Sequence, residues 1–184
     1  SPDMPGRDGS PSRPPPAPPP WPNRRRMPHD CPPWVKNGDV FFITIACVPR
    51  HHNHLALLPV ASEIEASLRH QHRKGHWWVH LFLLMPDHLH GLLSFSYPHS
   101  LGQSVINWKR YLSRRTGVRW QRDFFDHRIR NPRALNETWE YIRQNPVRKG
   151  LVASAEAWIF QWTYADLEPP GGDAAASELS LIHI

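Results

Sequence analysis

Proline is distributed so unevenly along this chain that it separates a part that can fold from parts that cannot. Of the 21 prolines in 184 residues, thirteen lie within residues 1–33. A segment so rich in proline, glycine, serine and arginine cannot bury apolar area, and it stays disordered or extended. We therefore predict a tail at residues 1–33 and one domain over residues 34–165. Residues 166–184 are interpreted as a second disordered tail and a candidate artefact, because their end resembles translated adapter sequence.

Cysteine content and hydropathy exclude several classes of protein. Two cysteines, Cys31 and Cys47, cannot build a disulfide framework or a Cys-based zinc site, which favours a reducing intracellular setting. No apolar run approaches the roughly 18–20 residues needed to span a bilayer, and the N-terminus has no apolar stretch of the signal-peptide type. We expect a cytoplasmic protein that makes no membrane contact.

The net charge of +6 is concentrated in one stretch of the chain. Residues 105–150 hold twelve Lys or Arg against four Asp or Glu, a balance of +8, so the rest of the chain sums to −2. Aromatic residues are interleaved with these charges: Trp108, Tyr111, Trp120, Phe124, Phe125, Trp139 and Tyr141. This combination is typical of a nucleic-acid-binding site. The alternative is a solvated basic surface whose aromatic side chains face the core.

Hydrophobic spacing predicts an α+β fold. Short β-branched or aromatic runs predict strands at residues 40–48, 77–84 and 88–95, with a further strand within residues 120–130. Helical spacing predicts helices at residues 59–74, 100–115 and 133–145, the first closed by Gly75 and the last ended by Pro146. This order fits a ferredoxin-like or RNA-recognition-motif-like sandwich, with an antiparallel sheet covered by helices on one face.

Two histidines open the third predicted strand. Residues i and i+2 of a strand point the same way, so His88 and His90 project from one face while Leu89 turns to the other. Two neighbouring imidazoles can serve as two metal ligands. The alternative is a pair of ordinary sheet histidines.

A second informative segment is the last predicted helix. Tyr141 and Asn145 are four residues apart and so lie on one helix face. By itself this pattern also fits a helix C-terminus with a structural tyrosine.

Three segments together resemble the tyrosine transposases of the HUH superfamily, specifically the REP-associated tyrosine transposases. They are residues 84–93 (LMPDHLHGLL), 120–130 (WQRDFFDHRIR) and 141–152 (YIRQNPVRKGLV). The resemblance covers roughly residues 40–162. Two positions depart from it: Asp87 stands where many relatives have Asn, and Gly91 where a larger apolar residue is common.

The resemblance implies roles for four residues. His88 and His90 match the histidines of the HUH motif, which bind Mg²⁺ or Mn²⁺ in the family. Tyr141 matches the nucleophile, and Asn145 matches the position that supplies a third metal ligand. Two imidazoles suit Mn²⁺ better than Mg²⁺, so the choice of ion stays open. We place His88, His90 and Tyr141 in the catalytic set.

The resemblance further implies a metal-dependent single-stranded DNA endonuclease and strand transferase that forms a 5′-phosphotyrosine intermediate on hairpin DNA. The sequence does not identify the group that activates the tyrosine, although Asp87 and His127 are candidates by character. The alternative function is a catalytically silent DNA- or RNA-binding module on the same fold. Either a monomer or a homodimer is compatible with the sequence.

Several basic and aromatic side chains are predicted to contact the DNA phosphates and bases. They are Lys109, Arg110, Trp120, Arg130, Arg143, Arg148 and Lys149. We favour Arg130 and Arg143 among them, because the first lies in the motif at residues 120–130 and the second on the helix that carries Tyr141.

Overall fold

The structure is a computed structural model that describes residues 31–168. The predicted tails at residues 1–33 and 166–184 lie mostly outside the described residues. Cys31 and Leu167, which lie just outside the predicted domain limits of residues 34–165, are both buried.

Five antiparallel strands form one sheet in the order β4-β1-β3-β2-β5. The strands are β1 (Val40–Ala46), β2 (Trp77–Leu84), β3 (His88–Phe95), β4 (Phe125–Ile129) and β5 (Gln161–Thr163). The helices are α1 (Pro33–Lys36), α2 (Leu58–Arg73), α3 (Leu101–Thr116), α4 (Pro132–Arg143), α5 (Asn145–Arg148) and α6 (Tyr164–Leu167), with a 3₁₀ turn at Ala155–Ala157.

Helices α2 and α3 cover one face of the sheet. Because side chains alternate along a strand, every second residue of β1 and β3 points to this face. The resulting core includes Ile43, Ile45, Leu89 and Leu93 from the strands, and Ile64, Leu68, Val105, Trp108 and Leu112 from the helices. These are the residues that the helical and strand spacing marks as apolar, so this layer is the predicted one.

Gly91 belongs to the same face, where space is short. A Cβ atom at this position would lie 3.1 Å from Cγ1 of Ile43 and 3.2 Å from Cδ2 of Phe82. The large neighbours on the adjacent strands therefore fill the volume that a larger residue 91 would occupy. A larger residue at position 91 would therefore require these neighbours to shift.

The opposite face of the sheet is covered by α4. Its residues Trp139 and Ile142 are buried in a second cluster with Val40, Leu83 and Leu92. The predicted α+β class with an antiparallel sheet is confirmed, and its helices are distributed over both faces rather than one. The helix that carries Tyr141 thus lies over the face to which His88 and His90 point.

A turn at Gln144 separates α4 from α5. The sequence predicts that the helix ends at Pro146, but α4 ends at Arg143 and a further helical turn begins at Asn145. Proline is tolerated in the first turn of a helix, where its missing N–H has no intrahelical partner to lose. The break and restart bring Asn145 into a buried position, with 6% of its surface exposed.

The fourth strand is shorter than its motif, because β4 takes up only Phe125–Ile129 of residues 120–130. Strand β4 is an edge of the sheet and pairs with β1 alone. Within residues 31–168, no helix is long and apolar enough to cross a membrane.

Candidate active site

The tight connection between β2 and β3 holds His88 in one orientation. Nδ1 of His88 lies 2.8 Å from Oδ1 of Asp87 and donates its proton to that carboxylate. The other carboxylate oxygen accepts hydrogen bonds of 2.8 Å from Nε of Arg50 and from the backbone N–H of His51. The lone pair on Nε2 of His88 is therefore available to a ligand, as in metal sites where a carboxylate orients a histidine.

Burial acts on the ionisation of both partners in this pair. Burial alone would raise the pKa of Asp87, but the hydrogen bonds from His88, His51 and Arg50 outweigh it and hold this pKa well below its ordinary value. Burial lowers the pKa of His88, with smaller contributions from the charges of Arg50 and Lys149, although the contact with Asp87 works in the opposite direction. Asp87 is thus an anion that positions His88, which argues against its predicted candidacy as a general base.

His90 is enclosed between a strand residue and the start of α5. Its Nδ1 lies 2.9 Å from Oγ1 of Thr44, and its Nε2 lies 2.7 Å from Nδ2 of Asn145. If the amide donates to Nε2, the ring proton is on Nδ1 and points at Thr44. Burial, together with the charges of His88 and Arg148, lowers the pKa of His90 to about 3. The ring is therefore neutral near pH 7, as metal coordination requires.

The side chains of His88, His90 and Asn145 fit a divalent ion. The two imidazole rings are 4.9 Å apart and nearly perpendicular. Adjacent ligands of an octahedral ion with bonds of 2.0–2.1 Å are about 3 Å apart, close to the 2.7 Å between Asn145 and His90. The oxygen and nitrogen of an amide are interchangeable in shape, so a half-turn of the amide offers its oxygen instead. Within residues 31–168, no cluster of three His, Cys, Asp or Glu side chains could hold a metal, so an amide would have to complete this set.

Tyr141 stands at the rim of this group, with 52% of its surface exposed. Its ring meets the ring of Phe42 edge-on at 6.3 Å and that of His90 at 6.2 Å. The guanidinium of Arg148 lies 4.5 Å above the ring centre, and Nη2 of Arg148 donates to the backbone oxygen of Tyr141 over 2.7 Å. The ring is thus held from several sides and still open to a substrate.

The predicted DNA contacts divide into two groups. Arg148 and Lys149 lie three and four residues after Asn145, and their charges act on His90 and His88, respectively. Arg130 is exposed just before α4, and Arg143 at the end of α4 forms an ion pair of 3.3 Å with Glu156. Of these four residues, Arg143, Arg148 and Lys149 belong to the helical segments that lie on the same side of the sheet as Tyr141.

The remaining three predicted contacts lie on the α3 side, and two of them are structural. Nζ of Lys109 is buried and donates to the backbone oxygens of Gln121 and Arg122 at 2.7 and 3.0 Å. Trp120 packs against the core beside Trp108 and donates its Nε1 proton to the backbone oxygen of Lys109. These internal contacts of Lys109 and Trp120 argue against their predicted role as DNA contacts, because their polar and aromatic groups are already used inside the domain.

Arg110 is exposed, but α3 carries it on the face of the sheet opposite to Tyr141. Its charge cannot reach a phosphate held beside the histidines without the DNA wrapping around the sheet. The prediction that Arg110 contacts the same DNA segment as Tyr141 is therefore not supported by its position.

Sequence reasoning missed three residues that complete the site. Thr44 is the polar residue of an otherwise apolar strand, and this interruption was the available signal for it. Phe42 and Arg50 reach the site only through the pairing of β1 with β3 and through the loop that follows β1. No local pattern marks either of them.

The fold and the site define a class of protein: an α+β domain whose antiparallel sheet presents two histidines on a central strand, beside an amide and an exposed tyrosine from the last helices. Comparison with known proteins identifies those to which this chain is similar. No family model matches the chain. A REP-associated tyrosine transposase of Escherichia coli strain K12 is 26% identical over 94 residues, 48% of this chain and 56% of the relative. The chain thus spans just over half the length of that relative.

A second relative and a solved structure agree with the first. A protein of Haemophilus influenzae, named as a candidate REP-associated tyrosine transposase, is 23% identical over 151 residues, 71% of this chain and 83% of the relative. The solved structure is a REP-associated tyrosine transposase bound to a REP hairpin, with a TM-score of 0.60 and 22% identity over 74% of this chain and 87% of the other. The resemblance to REP-associated tyrosine transposases that the motifs indicated is confirmed.

Proposed function

We propose that this protein is a metal-dependent endonuclease and strand transferase that acts on single-stranded DNA flanking a hairpin. The similarity to REP-associated tyrosine transposases supports a role in DNA processing. The proposed endonuclease and strand-transferase activity rests on the arrangement of four side chains in this chain.

One contact carries the proposal: the 2.7 Å approach of Asn145 to His90. It joins the helical segment that follows Tyr141 to the sheet strand that holds both histidines, 55 residues away in sequence. A nucleic-acid-binding module has no need to bring a buried amide, two neutral imidazoles and an exposed phenol together. A metal-dependent phosphoryl-transfer site with a tyrosine nucleophile would use all of them, the amide and imidazoles to hold the metal ion and the phenol to attack.

The reaction is a transesterification. The phenolic oxygen of Tyr141 attacks the phosphorus, the bond from phosphorus to the 3′-oxygen breaks, and the 3′-oxygen leaves as a hydroxyl after taking a proton. The phenolic proton passes to a base or to solvent. His127 is a candidate for that base, since it lies on β4 opposite Phe42 in the strand pairing. The 5′-phosphotyrosine bond preserves the phosphodiester's energy, so a 3′-hydroxyl of another strand can reverse the step.

The protein's own groups would bind and orient the phosphate. The positive charges of Arg148 and Lys149 next to the histidines favour a phosphodiester at this place. A bound Mg²⁺ or Mn²⁺ would supply Lewis-acid polarisation of a phosphoryl oxygen. His88, His90 and Asn145 would hold it, with Asp87 fixing the orientation of His88.

The test is covalent capture from a DNA pool. We would incubate the full chain with labelled hairpins that carry randomised single-stranded flanks, in Mg²⁺, in Mn²⁺ and in a chelator. The expected result is a protein–DNA adduct that survives denaturation, needs the metal ion and yields a defined flank on sequencing. Tyr141→Phe and His88→Ala should abolish it, whereas Tyr97→Phe, at another exposed tyrosine, should form it as the wild type does.

Two outcomes would count against the proposal. A protein that binds hairpins and never forms an adduct in either metal ion is the silent binding module of the alternative hypothesis. An adduct that persists in Tyr141→Phe would place the nucleophile on another residue.

A further inference from the structure

A large apolar side chain stands exposed beside the proposed nucleophile. Phe125 begins β4, and 57% of its surface is open to solvent. In the strand pairing it lies opposite Thr44, which in turn lies opposite His90. Phe125 is therefore two strands from His90 on the same face of the sheet, a backbone separation of about 10 Å.

The exposed ring is the outer member of a continuous aromatic row. Phe125 meets Phe42 edge-on at 6.0 Å, and Phe42 meets both Tyr141 at 6.3 Å and His90 at 5.5 Å. Phe42 is partly buried under its neighbours, whereas Phe125 and Tyr141 are each more than half exposed. The row thus leads from the histidines outward to a ring that remains more than half exposed to solvent.

We propose that Phe125 is the stacking platform for one unpaired nucleobase next to the cleaved phosphate, which makes the site selective for single-stranded DNA. This inference rests on the proposed function and assigns its substrate one further contact. Phe125 does not touch the reacting atoms; it positions the strand that carries them.

The charges beside the aromatic row favour a nucleobase as the group that covers Phe125. The cations beside the row, Arg148 and Lys149, favour an anionic partner, so a purely apolar peptide fits poorly. A DNA strand satisfies both requirements, because its phosphate can meet the cations while the adjoining base covers the ring. A base within a duplex is stacked on its neighbours and cannot offer a face to the ring, so the platform discriminates against paired DNA.

The expected effect follows from the strength of base stacking. Loss of one base–aromatic stack weakens binding by about fivefold to 150-fold. Phe125→Ala should lose this amount, Phe125→Leu should lose most of it because it keeps apolar area without a π-face, and Phe125→Trp should retain affinity.

The experiment couples the protein change to a DNA change. Hairpins are first selected from the randomised pool by the Tyr141→Phe protein without added metal, so selection does not depend on cleavage. Affinity is then measured by fluorescence anisotropy for the intact selected hairpin and for versions with one abasic site at each flanking position. Tyr97→Ala is the matched control, since Tyr97 is 97% exposed but lies past the far end of β3, about 25 Å along the strand from His88.

The expected result is one flanking position at which removing the base weakens binding to the parent protein, which keeps Phe125. With the base at that position removed, Phe125→Ala should weaken binding by less than a further twofold. Tyr97→Ala should bind like the parent. The inference is overturned if Phe125→Ala binds within twofold of the parent, if its loss persists undiminished at every abasic position, or if no hairpin is selected.

The two proposals fail separately. If the Phe125→Ala change and one abasic site are coupled in a protein that forms no covalent adduct, the stacking role of Phe125 is supported and the catalytic role is refuted. If the wild type forms an adduct and Phe125→Ala is coupled to no abasic site, the catalytic role is supported and the stacking role of Phe125 is refuted.

Discussion

Asp87 shows how one residue sets the state of a neighbouring ligand. Its two oxygens are shared among the Nδ1 proton of His88, the guanidinium of Arg50 and the backbone N–H of His51. The hydrogen bond to His88 fixes the tautomer that leaves Nε2 free. At this position an Asp accepts hydrogen bonds with both carboxylate oxygens, whereas an Asn would have only one acceptor oxygen.

We expect Asp87→Asn to weaken metal binding by about 10- to 100-fold, because an amide can donate to Nδ1 and favour the wrong tautomer of His88. Titration calorimetry with Mn²⁺ measures this directly, without DNA. Asp126→Asn is the matched control, since Asp126 is an exposed acid on β4. Equal Mn²⁺ affinity in Asp87→Asn and wild type would show that His88 does not depend on its carboxylate partner.

At this scale, sequence reasoning succeeds where the spacing is short. His88 and His90 are two residues apart on a strand, so their shared face follows from local geometry. The spacing of Tyr141 and Asn145 predicts a shared helix face, but the two residues lie on separate helices, α4 and α5. The contact between Asn145 and His90 depends on how a helix restarts after Gln144, which no periodicity encodes. The family resemblance supplied that juxtaposition in advance, and the structure now gives its geometry.

Among the elements, α3 is tied to the loop that precedes β4. The ammonium of Lys109 satisfies two backbone oxygens of this loop and lies 5.9 Å from the ring centre of Phe124. A basic residue in a basic stretch is indistinguishable in sequence from its neighbours. The structural role of Lys109 depends on the path of the loop, which brings the backbone oxygens of Gln121 and Arg122 to the helix.

We expect Lys109→Met to reduce the free energy of unfolding by about 1–3 kcal/mol, since the two carbonyl oxygens lose a charged donor. Arg110→Met, one residue along the same helix and exposed, should change it by less than about 0.5 kcal/mol. Urea denaturation of both variants measures the difference. Lys109→Met as stable as Arg110→Met, with weaker DNA binding, would restore the original interpretation of Lys109 as a phosphate contact.

Strand β2 contains an irregularity that the sequence hides. All eight of its residues are buried, so no alternation of apolar and polar residues reveals which face each one takes. Its pairing with β3 shifts between Val79 and Leu81, which leaves His80 as the extra residue of a bulge. Nε2 of His80 lies 2.9 Å from Oγ of Ser94 in the interior.

We expect His80 to make the fold sensitive to acid. Burial, with a smaller contribution from the charge of His72, lowers the pKa of His80 from 6.5 to about 4. The unfolded chain therefore takes up the proton first, so stability is complete above about pH 6.5 and falls by up to about 3 kcal/mol as the pH drops to about 4. The pKa values of His90 and His72 are lowered as well, so these residues also contribute to the loss of stability in acid. The contribution of His80 is therefore measured as the difference between the wild type and a variant that lacks this histidine.

His80→Gln keeps a side chain that can bond to Ser94 but cannot take up a proton. Urea denaturation of both proteins at about pH 7 and about pH 4.5 measures the two losses of stability. The variant should lose less than the wild type over this interval. An equal loss in both proteins would mean that the buried ring of His80 does not control the acid transition.

Over the whole molecule, the sheet divides the positive charge of residues 105–150 into two populations. Arg110 and its neighbours on α3 lie over one face, whereas Arg148 and Lys149 lie beside the histidines on the other. The net charge of +6 and the local excess of +8 describe the chain correctly but do not identify the surface that we propose binds DNA. Composition cannot make this distinction, because it depends on which face of the sheet each helix covers.

The salt dependence of DNA binding can identify the face that is used. Each phosphate contact with single-stranded DNA contributes about −0.7 to the slope of log K against log salt concentration. We expect Lys149→Gln to make this slope shallower by about that amount, because Lys149 lies close enough to the site for its charge to act on His88. Arg110→Gln removes the same unit of charge from the opposite side and should leave the slope unchanged. Anisotropy titrations of both variants on one selected hairpin, over a range of salt concentrations, give the two slopes. If the slope becomes shallower in Arg110→Gln by as much as in Lys149→Gln, the DNA contacts both faces of the sheet.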